Sequence, residues 1–100
     1  MNYKIVVDAG HGGVDPGAIG NGLQEKDLNL KAATYMAKRF EELGIPVKMT
    51  RNTDETLPKS ERISRILNAF GNRDDVILIS NHINAGGAEG QSVTNIKYNN

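Results

Sequence analysis

The chain contains two histidines, and each one follows a short hydrophobic run. His11 stands among glycines shortly after the run 3–7, and His82 stands two residues after the run 76–80. A histidine that a tight turn holds at the end of a buried strand is a candidate metal ligand or a candidate acid–base group. The two histidines therefore indicate where chemistry would take place in the fold.

A metal centre would need a third ligand besides the two imidazoles. Catalytic zinc sites often use two histidines and one carboxylate and leave the fourth position to water. The chain has no cysteine, so a metal here needs histidine and carboxylate ligands. Glu25 is the best candidate, and Asp8 and Asp15 are alternatives, either as ligands or as groups that orient an imidazole. The plainer interpretation is that both histidines serve ordinary packing or lie exposed without a metal.

Strands and helices in alternation would position these side chains, and the hydrophobic pattern predicts that order. Runs of aliphatic residues predict strands at 3–7, 47–50 and 76–80. Three- and four-residue spacing predicts helices at 25–43 and from Pro58 to Phe70. The predicted buried stripes are Asn29, Ala33, Met36, Phe40 and Leu43 in the first helix, and Ile63, Ile66, Leu67 and Phe70 in the second.

The order strand, helix, strand, helix, strand is typical of parallel βαβ units with right-handed crossovers. We therefore predict an α/β fold of three layers, with a mainly parallel sheet in the strand order 2-1-3 and helices on both faces. That order brings both histidines to one edge of the sheet, where Glu25 would begin the first helix. Residues 91–98 predict a weak C-terminal edge strand. The loop 10–22 has no periodic pattern, and it is either functional or a tolerated surface insertion.

The composition excludes some classes of partner. Twelve basic and twelve acidic residues balance, so no basic excess indicates a nucleic acid or an anionic membrane surface. No run approaches about 18 apolar residues, so we predict no membrane span. The first residues lack the charged and apolar regions of a signal peptide. One hundred residues predict a single domain.

Several motifs of the chain together resemble those of a known enzyme family. They are Ile5 to Gly13 followed by Asp15-Pro16-Gly17-Ala18, Glu25-Lys26-Asp27, Thr50-Arg51 with Asp54, Arg62, and Ser80 to Ala85. In this order and spacing they resemble the zinc-dependent N-acetylmuramoyl-L-alanine amidases of the type-3 class. These bacterial, sporulation and phage enzymes cut the bond between the sugar and the stem peptide of peptidoglycan.

The resemblance implies a set of roles. It implies that His11, Glu25 and His82 bind one zinc ion, that peptidoglycan is the partner, and that the protein acts at the bacterial cell wall. It further implies substrate-binding or ligand-orienting roles for Asp8, Asp15, Asn84, Arg51 and Arg62. Alternatively, Arg51 and Arg62 form a structural ion-pair network with Asp54, and Asn84 caps the turn after the third strand.

The resemblance stops short of one catalytic group. In the family a glutamate on a late strand takes the proton of the attacking water, and no residue here matches it; Glu89 is a weak substitute. We therefore expect residues 1–100 to be one amidase-like zinc domain that lacks the C-terminal part of the family domain and has low or no amidase turnover. The alternatives are a non-catalytic protein that binds zinc or peptidoglycan, and a fragment completed by a partner chain. An open sheet edge would favour such pairing, including a homo-oligomer.

Overall fold

A four-stranded sheet forms the centre of the fold in the computed structural model, which describes residues 2–83 and 91–97. The strands are β1 (Lys4–Ala9), β2 (Ile19–Gly20), β3 (Leu23–Gln24), β4 (Val47–Met49), β5 (Val76–Ile83) and β6 (Gln91–Lys97). The helices are α1 (Glu25–Glu42) and α2 (Lys59–Ala69). The main sheet has the order β4-β1-β5-β6, in which β4, β1 and β5 are parallel and β6 is antiparallel to β5. The predicted α/β fold, strand order and edge strand are confirmed.

The register between β1 and β5 determines where the histidines lie. Lys4 pairs with Val76 at one end of the two strands, and Ala9 pairs with Asn81 at the other. His11 lies two residues beyond Ala9 and His82 one residue beyond Asn81, so both histidines lie at the carboxyl edge of the sheet. That edge is where ligands usually bind in open α/β folds.

The two helices cover opposite faces of the sheet, as predicted, because successive side chains of a strand point to opposite faces. One cluster lies under α1 and comprises Ile5, Val7, Ala9, Ala33 and Ile79, with Met36 and Phe40 packed against it. The other lies under α2 and comprises Val6, Ile66, Val76 and Leu78, with Phe70 packed against it. The core is thus aliphatic and divided by the sheet.

Two residues of the predicted helix stripes lie outside the core, so these two predictions are wrong. Leu43 is 62% exposed because α1 has ended by then. The N–H groups of Gly44 and Ile45 donate to the carbonyl groups of Glu41 and Phe40, and Gly44 has a φ of 77°. This pairing is the Schellman motif that ends many helices. In α2, Ile63 is 45% exposed, and Ile66 is the buried residue of that helix.

The loop 10–22 also contains regular structure that the sequence analysis does not predict. β2 and β3 form a two-stranded hairpin with Asn21 and Gly22 between them, at φ values of 52° and 76°. Positive φ at both central residues is the condition for the two-residue turn that Asn-Gly favours. The hairpin leads directly into α1, so the turn helps to place Glu25. No helix in residues 2–83 is long and apolar enough to cross a membrane.

Candidate metal centre

Three side chains that can bind a metal ion meet at the carboxyl edge of the sheet. Glu25 Oε2 lies 3.2 Å from His11 Nε2 and 3.5 Å from His82 Nδ1. The two imidazole rings stand edge to face, with 5.4 Å between their centroids. One ligand atom from each of the three residues lies within 4.8 Å of the other two. The structure therefore brings together the three residues that the sequence analysis selects.

Glu25 is buried, and backbone and amide donors hold its carboxylate in place. Its Oε1 accepts a hydrogen bond from the N–H of Ala18 at 3.0 Å. Its Oε2 accepts hydrogen bonds from Asn29 Nδ2 at 3.1 Å and from the N–H of Ile83 at 3.0 Å. Burial by itself would raise the pKa of Glu25, but these donors and then His11 outweigh it and leave the pKa lowered. The residue is therefore a carboxylate at neutral pH, as a metal ligand must be.

His11 has an unusual backbone conformation and an oriented ring. Its φ is 62°, in the left-handed region that residues other than glycine seldom adopt. Its Nδ1 lies 2.8 Å from a carboxylate oxygen of Asp15, and this contact fixes the orientation of the ring. Nε2 of the same ring lies 3.2 Å from Glu25 Oε2. Of the two roles that the sequence leaves open for Asp15, the contact with His11 matches the orienting one.

At two positions, Gly10 and Gly17, the backbone lies so close to the candidate ligands that only glycine fits. A Cβ added at Gly10 would lie 2.5 Å from Cε1 of His82. A Cβ added at Gly17 would lie 2.7 Å from both Glu25 Oε1 and His11 Cδ2, and Gly17 has a φ of 68°. Neither position has room for a side chain unless a ligand moves.

Asp8 is not a member of the group formed by His11, Glu25 and His82. It lies buried beneath the edge and accepts hydrogen bonds from Arg62 Nη1 at 2.6 Å, Ser80 Oγ at 2.6 Å and Thr50 Oγ1 at 2.8 Å. Burial would raise the pKa of Asp8, but the hydrogen bond from Ser80, the charge of Arg62 and the hydrogen bond from Thr50 lower it overall. Asp8 thus connects β1 with β5, with α2 and with the residue that follows β4, behind the centre.

Arg51 and Arg62 point into the protein and contact its backbone. Arg51 is 2% exposed, and its guanidinium donates to five backbone carbonyl groups, those of Ala9, Gly10, His11, Lys26 and Thr53. Arg62 pairs with Asp8 and donates to the carbonyl groups of Ala9 and His11. Burial, and then the charge of Arg62, lowers the pKa of Arg51, which nevertheless stays protonated.

The structure differs from the predicted ion-pair network of Arg51, Arg62 and Asp54. Among the described residues, Asp54 pairs with Lys26 and Arg62 pairs with Asp8. Asp54 accepts hydrogen bonds from Lys26 Nζ and from the N–H of Gly13, each at 2.8 Å. Lys26 also donates to the carbonyl group of Gly13 at 2.9 Å. The network therefore holds the glycine-rich loop against α1. Asn84 and Glu89 lie outside the described residues, so their roles stay predictions.

Asn29 is a site residue that the sequence analysis assigns only to the buried stripe of α1. It is fully buried, and its amide donates to Glu25 and to the carbonyl group of Gly10. A signal for it exists in the sequence, because a polar residue at a core-facing helix position must find hydrogen-bond partners. Its partners could not be identified from that signal.

The fold and the cluster together define an α/β protein with a candidate two-histidine, one-carboxylate metal centre. Comparison with known proteins identifies its family. The family model of the N-acetylmuramoyl-L-alanine amidases of type 3 matches residues 5–99. The chain belongs to this family, whose members are zinc-dependent amidases that hydrolyse the peptidoglycan of cell walls.

Individual proteins show the same relationship. The chain is 40% identical over 91 residues to the sporulation-specific N-acetylmuramoyl-L-alanine amidase of Bacillus subtilis, covering 87% of this chain and 33% of that protein. It is 39% identical over 82 residues to the uncharacterized protein YqiI of the same organism, covering 82% of this chain and 38% of that protein. A solved N-acetylmuramoyl-L-alanine amidase from Clostridium difficile 630 superposes with a TM-score of 0.76 at 30% identity, covering 86% of this chain and 46% of that chain. The chain thus spans less than half the length of each of these proteins.

Proposed function

We propose that this chain is the zinc-binding part of an N-acetylmuramoyl-L-alanine amidase, with His11, Glu25 and His82 as the metal ligands. Its target is the amide bond between N-acetylmuramic acid and L-alanine in peptidoglycan. The observation that carries the proposal is the convergence of three ligand atoms within 4.8 Å at the carboxyl edge of the sheet. Family membership supplies the substrate class.

The donor set suits zinc. Two imidazole nitrogens and one carboxylate oxygen match the ligands of catalytic zinc sites, whereas magnesium and calcium prefer oxygen ligands alone. Glu25 is ionised, and the contact of His11 Nδ1 with Asp15 leaves Nε2 as the ring nitrogen that faces the centre. The side chains of His11 and His82 are 28% and 43% exposed, so the centre can be reached from solvent.

Hydrolysis adds water to the carbonyl carbon of the lactyl group, breaks the C–N bond and delivers a proton to the alanine nitrogen. Zinc bound at this centre would supply a Lewis acid that activates water and polarises the carbonyl group. The residues of this chain bind the cation and orient its ligands. A carboxylate must also carry the proton, but Asp8 and Asp15 already pair with Arg62 and His11. We therefore assign the proton transfer to neither.

We expect the 100-residue chain to bind one zinc ion and to release stem peptides slowly. The test is digestion of purified peptidoglycan by the zinc-loaded chain, with and without a chelator, with new L-alanine amino termini as the readout and metal content measured alongside. Chelator-sensitive rapid release would contradict the expected low turnover while supporting the amidase assignment. A chain that takes up no zinc would overturn the proposed centre.

A second candidate function is binding of zinc and peptidoglycan without cleavage. It is favoured because Asp8 and Asp15 already pair with Arg62 and His11, which leaves neither carboxylate to carry the proton. Sedimentation with purified cell walls distinguishes the two. A binding protein sediments with the walls when zinc is present and leaves the amount of free amino termini unchanged. An amidase raises that amount as it sediments.

Asp15→Asn is expected to weaken zinc binding about 10- to 100-fold, because the carboxylate that orients a histidine ligand typically contributes this much to metal affinity. Asp27→Asn, which removes the same charge from an exposed position in the first turn of α1, is the matched control. Competition with a chromophoric chelator measures both affinities. Equal affinities for the two variants would show that Asp15 does not act through His11.

A further inference from the structure

Three consecutive carbonyl groups, at the end of β1 and in the turn that follows it, accept hydrogen bonds from two arginine side chains. The carbonyl oxygen of His11 accepts hydrogen bonds from Arg51 Nε at 2.7 Å and from Arg62 Nη2 at 2.9 Å. That of Ala9 accepts from the same two residues at 3.1 and 2.8 Å, and that of Gly10 accepts from Arg51 Nη2 at 3.0 Å. We call this arrangement of Arg51, Arg62 and the carbonyl groups of residues 9–11 the guanidinium clamp.

The guanidinium clamp acts on a residue with an unfavourable backbone conformation. His11 adopts a φ of 62°, and residues other than glycine occupy that region only when the surrounding structure imposes it. This conformation turns the carbonyl group of His11 towards the guanidinium groups and leaves its ring directed at Glu25. Loss of the clamp would let the backbone of His11 relax, and the ring would move with it.

Arg51 also reaches the backbone beside a second candidate ligand. Its Nη2 donates at 3.0 Å to the carbonyl group of Lys26, the residue that follows Glu25. One guanidinium thus bonds to the backbone of His11 and to the backbone next to Glu25. A planar group with five N–H donors in fixed directions can satisfy such an array, whereas an ammonium group has three donors and no fixed plane.

The burial of Arg51 supports a positioning role. A buried charge is costly unless hydrogen bonds compensate it, and every hydrogen bond that the structure gives to Arg51 ends on a backbone carbonyl group. An apolar residue at position 51 would leave these five carbonyl groups without the hydrogen bonds that Arg51 donates. One guanidinium group thus holds the backbone of several separate segments in one arrangement.

We propose that Arg51, assisted by Arg62, is a positioning residue that presets the metal centre by fixing His11 and the start of α1 before the cation binds. The proposal rests on the proposed zinc-binding function. In this proposal neither arginine contacts the substrate or binds the metal ion, and both act by holding the backbone of the residues that do.

The test compares Arg51→Lys with the wild-type chain and with Val76→Ala. Val76 is buried at the amino end of β5, away from the centre, so Val76→Ala controls for a general loss of stability. Zinc affinity is measured by chelator competition under conditions in which urea titration shows all three proteins folded. We expect affinity to fall about tenfold or more in Arg51→Lys and to change less than about twofold in Val76→Ala.

A second measurement needs no metal. The N–H of Gly12 donates to the carbonyl group of Asp15, and the N–H of Ile5 donates to that of Pro46, so their exchange can be followed without added zinc. We expect Arg51→Lys to speed hydrogen exchange at Gly12 by about tenfold or more while exchange at Ile5 changes little. If Arg51→Lys does not fold, Arg62→Lys, which removes part of the clamp, should show both effects to a smaller extent.

Unchanged zinc affinity in the arginine variants, an equal loss in Val76→Ala, or unchanged exchange at Gly12 would overturn the positioning role. A wild-type chain that binds no zinc would instead overturn the proposed function. In that case the exchange of Gly12 decides by itself whether the clamp holds the turn.

Discussion

Replacing His82 by alanine is expected to lower the zinc affinity of the chain by more than about a hundredfold, because loss of a ligand costs more than loss of a group that only orients one. His11→Ala should have the same effect. In both variants the metal content at micromolar zinc falls from one ion per chain to none. Zinc at about 100 times the wild-type dissociation constant should stabilise the wild-type chain by about 2.7 kcal/mol and the variants by less than about 0.4 kcal/mol.

The matched control for this experiment is Tyr35→Ala, which removes a large, exposed side chain of α1. Metal analysis after dialysis and thermal unfolding with and without zinc provide independent readouts. An unchanged metal content in either histidine variant would remove that histidine from the ligand set. Loss of binding in Tyr35→Ala as well would show that the assay reports folding in place of ligation.

The sheet could be predicted because its signals are local. Each strand of the parallel core is a short aliphatic run, and each helix between two strands has its own periodicity, so the order follows from the sequence. The carboxyl edges of parallel strands then coincide, and this is why the sequence predicts that His11 and His82 lie together. The end of α1 was harder to place, because Leu43 continues the stripe by spacing although Gly44 and Ile45 already close the helix.

The support around the centre could not be predicted, because it depends on contacts distant in sequence. Arg51 binds carbonyl groups some 40 positions earlier in the chain, and Asp54 binds the N–H of Gly13 at a separation of 41. Backbone carbonyl groups are the same in every residue, so no pattern of side chains indicates which of them an arginine will contact. The sequence leaves a structural and a substrate-binding role open for Arg51 and Arg62, and the backbone groups that they contact follow only from the fold.

Gly17→Ala tests whether zinc binding depends on the close approach of the glycine-rich loop to Glu25 and His11. Two effects act at this position: a positive φ, which costs a residue with a Cβ about 1–2 kcal/mol, and a collision of that Cβ with Glu25 and His11. Because Gly17 also donates its N–H to Asp15, any shift of the loop disturbs the orientation of His11. We expect the free energy of unfolding to fall and zinc affinity to drop by more than about tenfold.

Two further glycines of the same loop separate these effects. Gly22 has a φ of 76° but open space around its missing Cβ, so Gly22→Ala should cost stability by about 1 kcal/mol and leave zinc affinity unchanged. Gly20 has neither a positive φ nor a neighbour within 4 Å, so Gly20→Ala should change stability by less than about 0.5 kcal/mol. Urea unfolding of the metal-free proteins and chelator competition measure the two quantities separately. If Gly22→Ala weakens zinc binding as much as Gly17→Ala does, backbone strain alone explains the loss, and the close contact with Glu25 and His11 has no part in it.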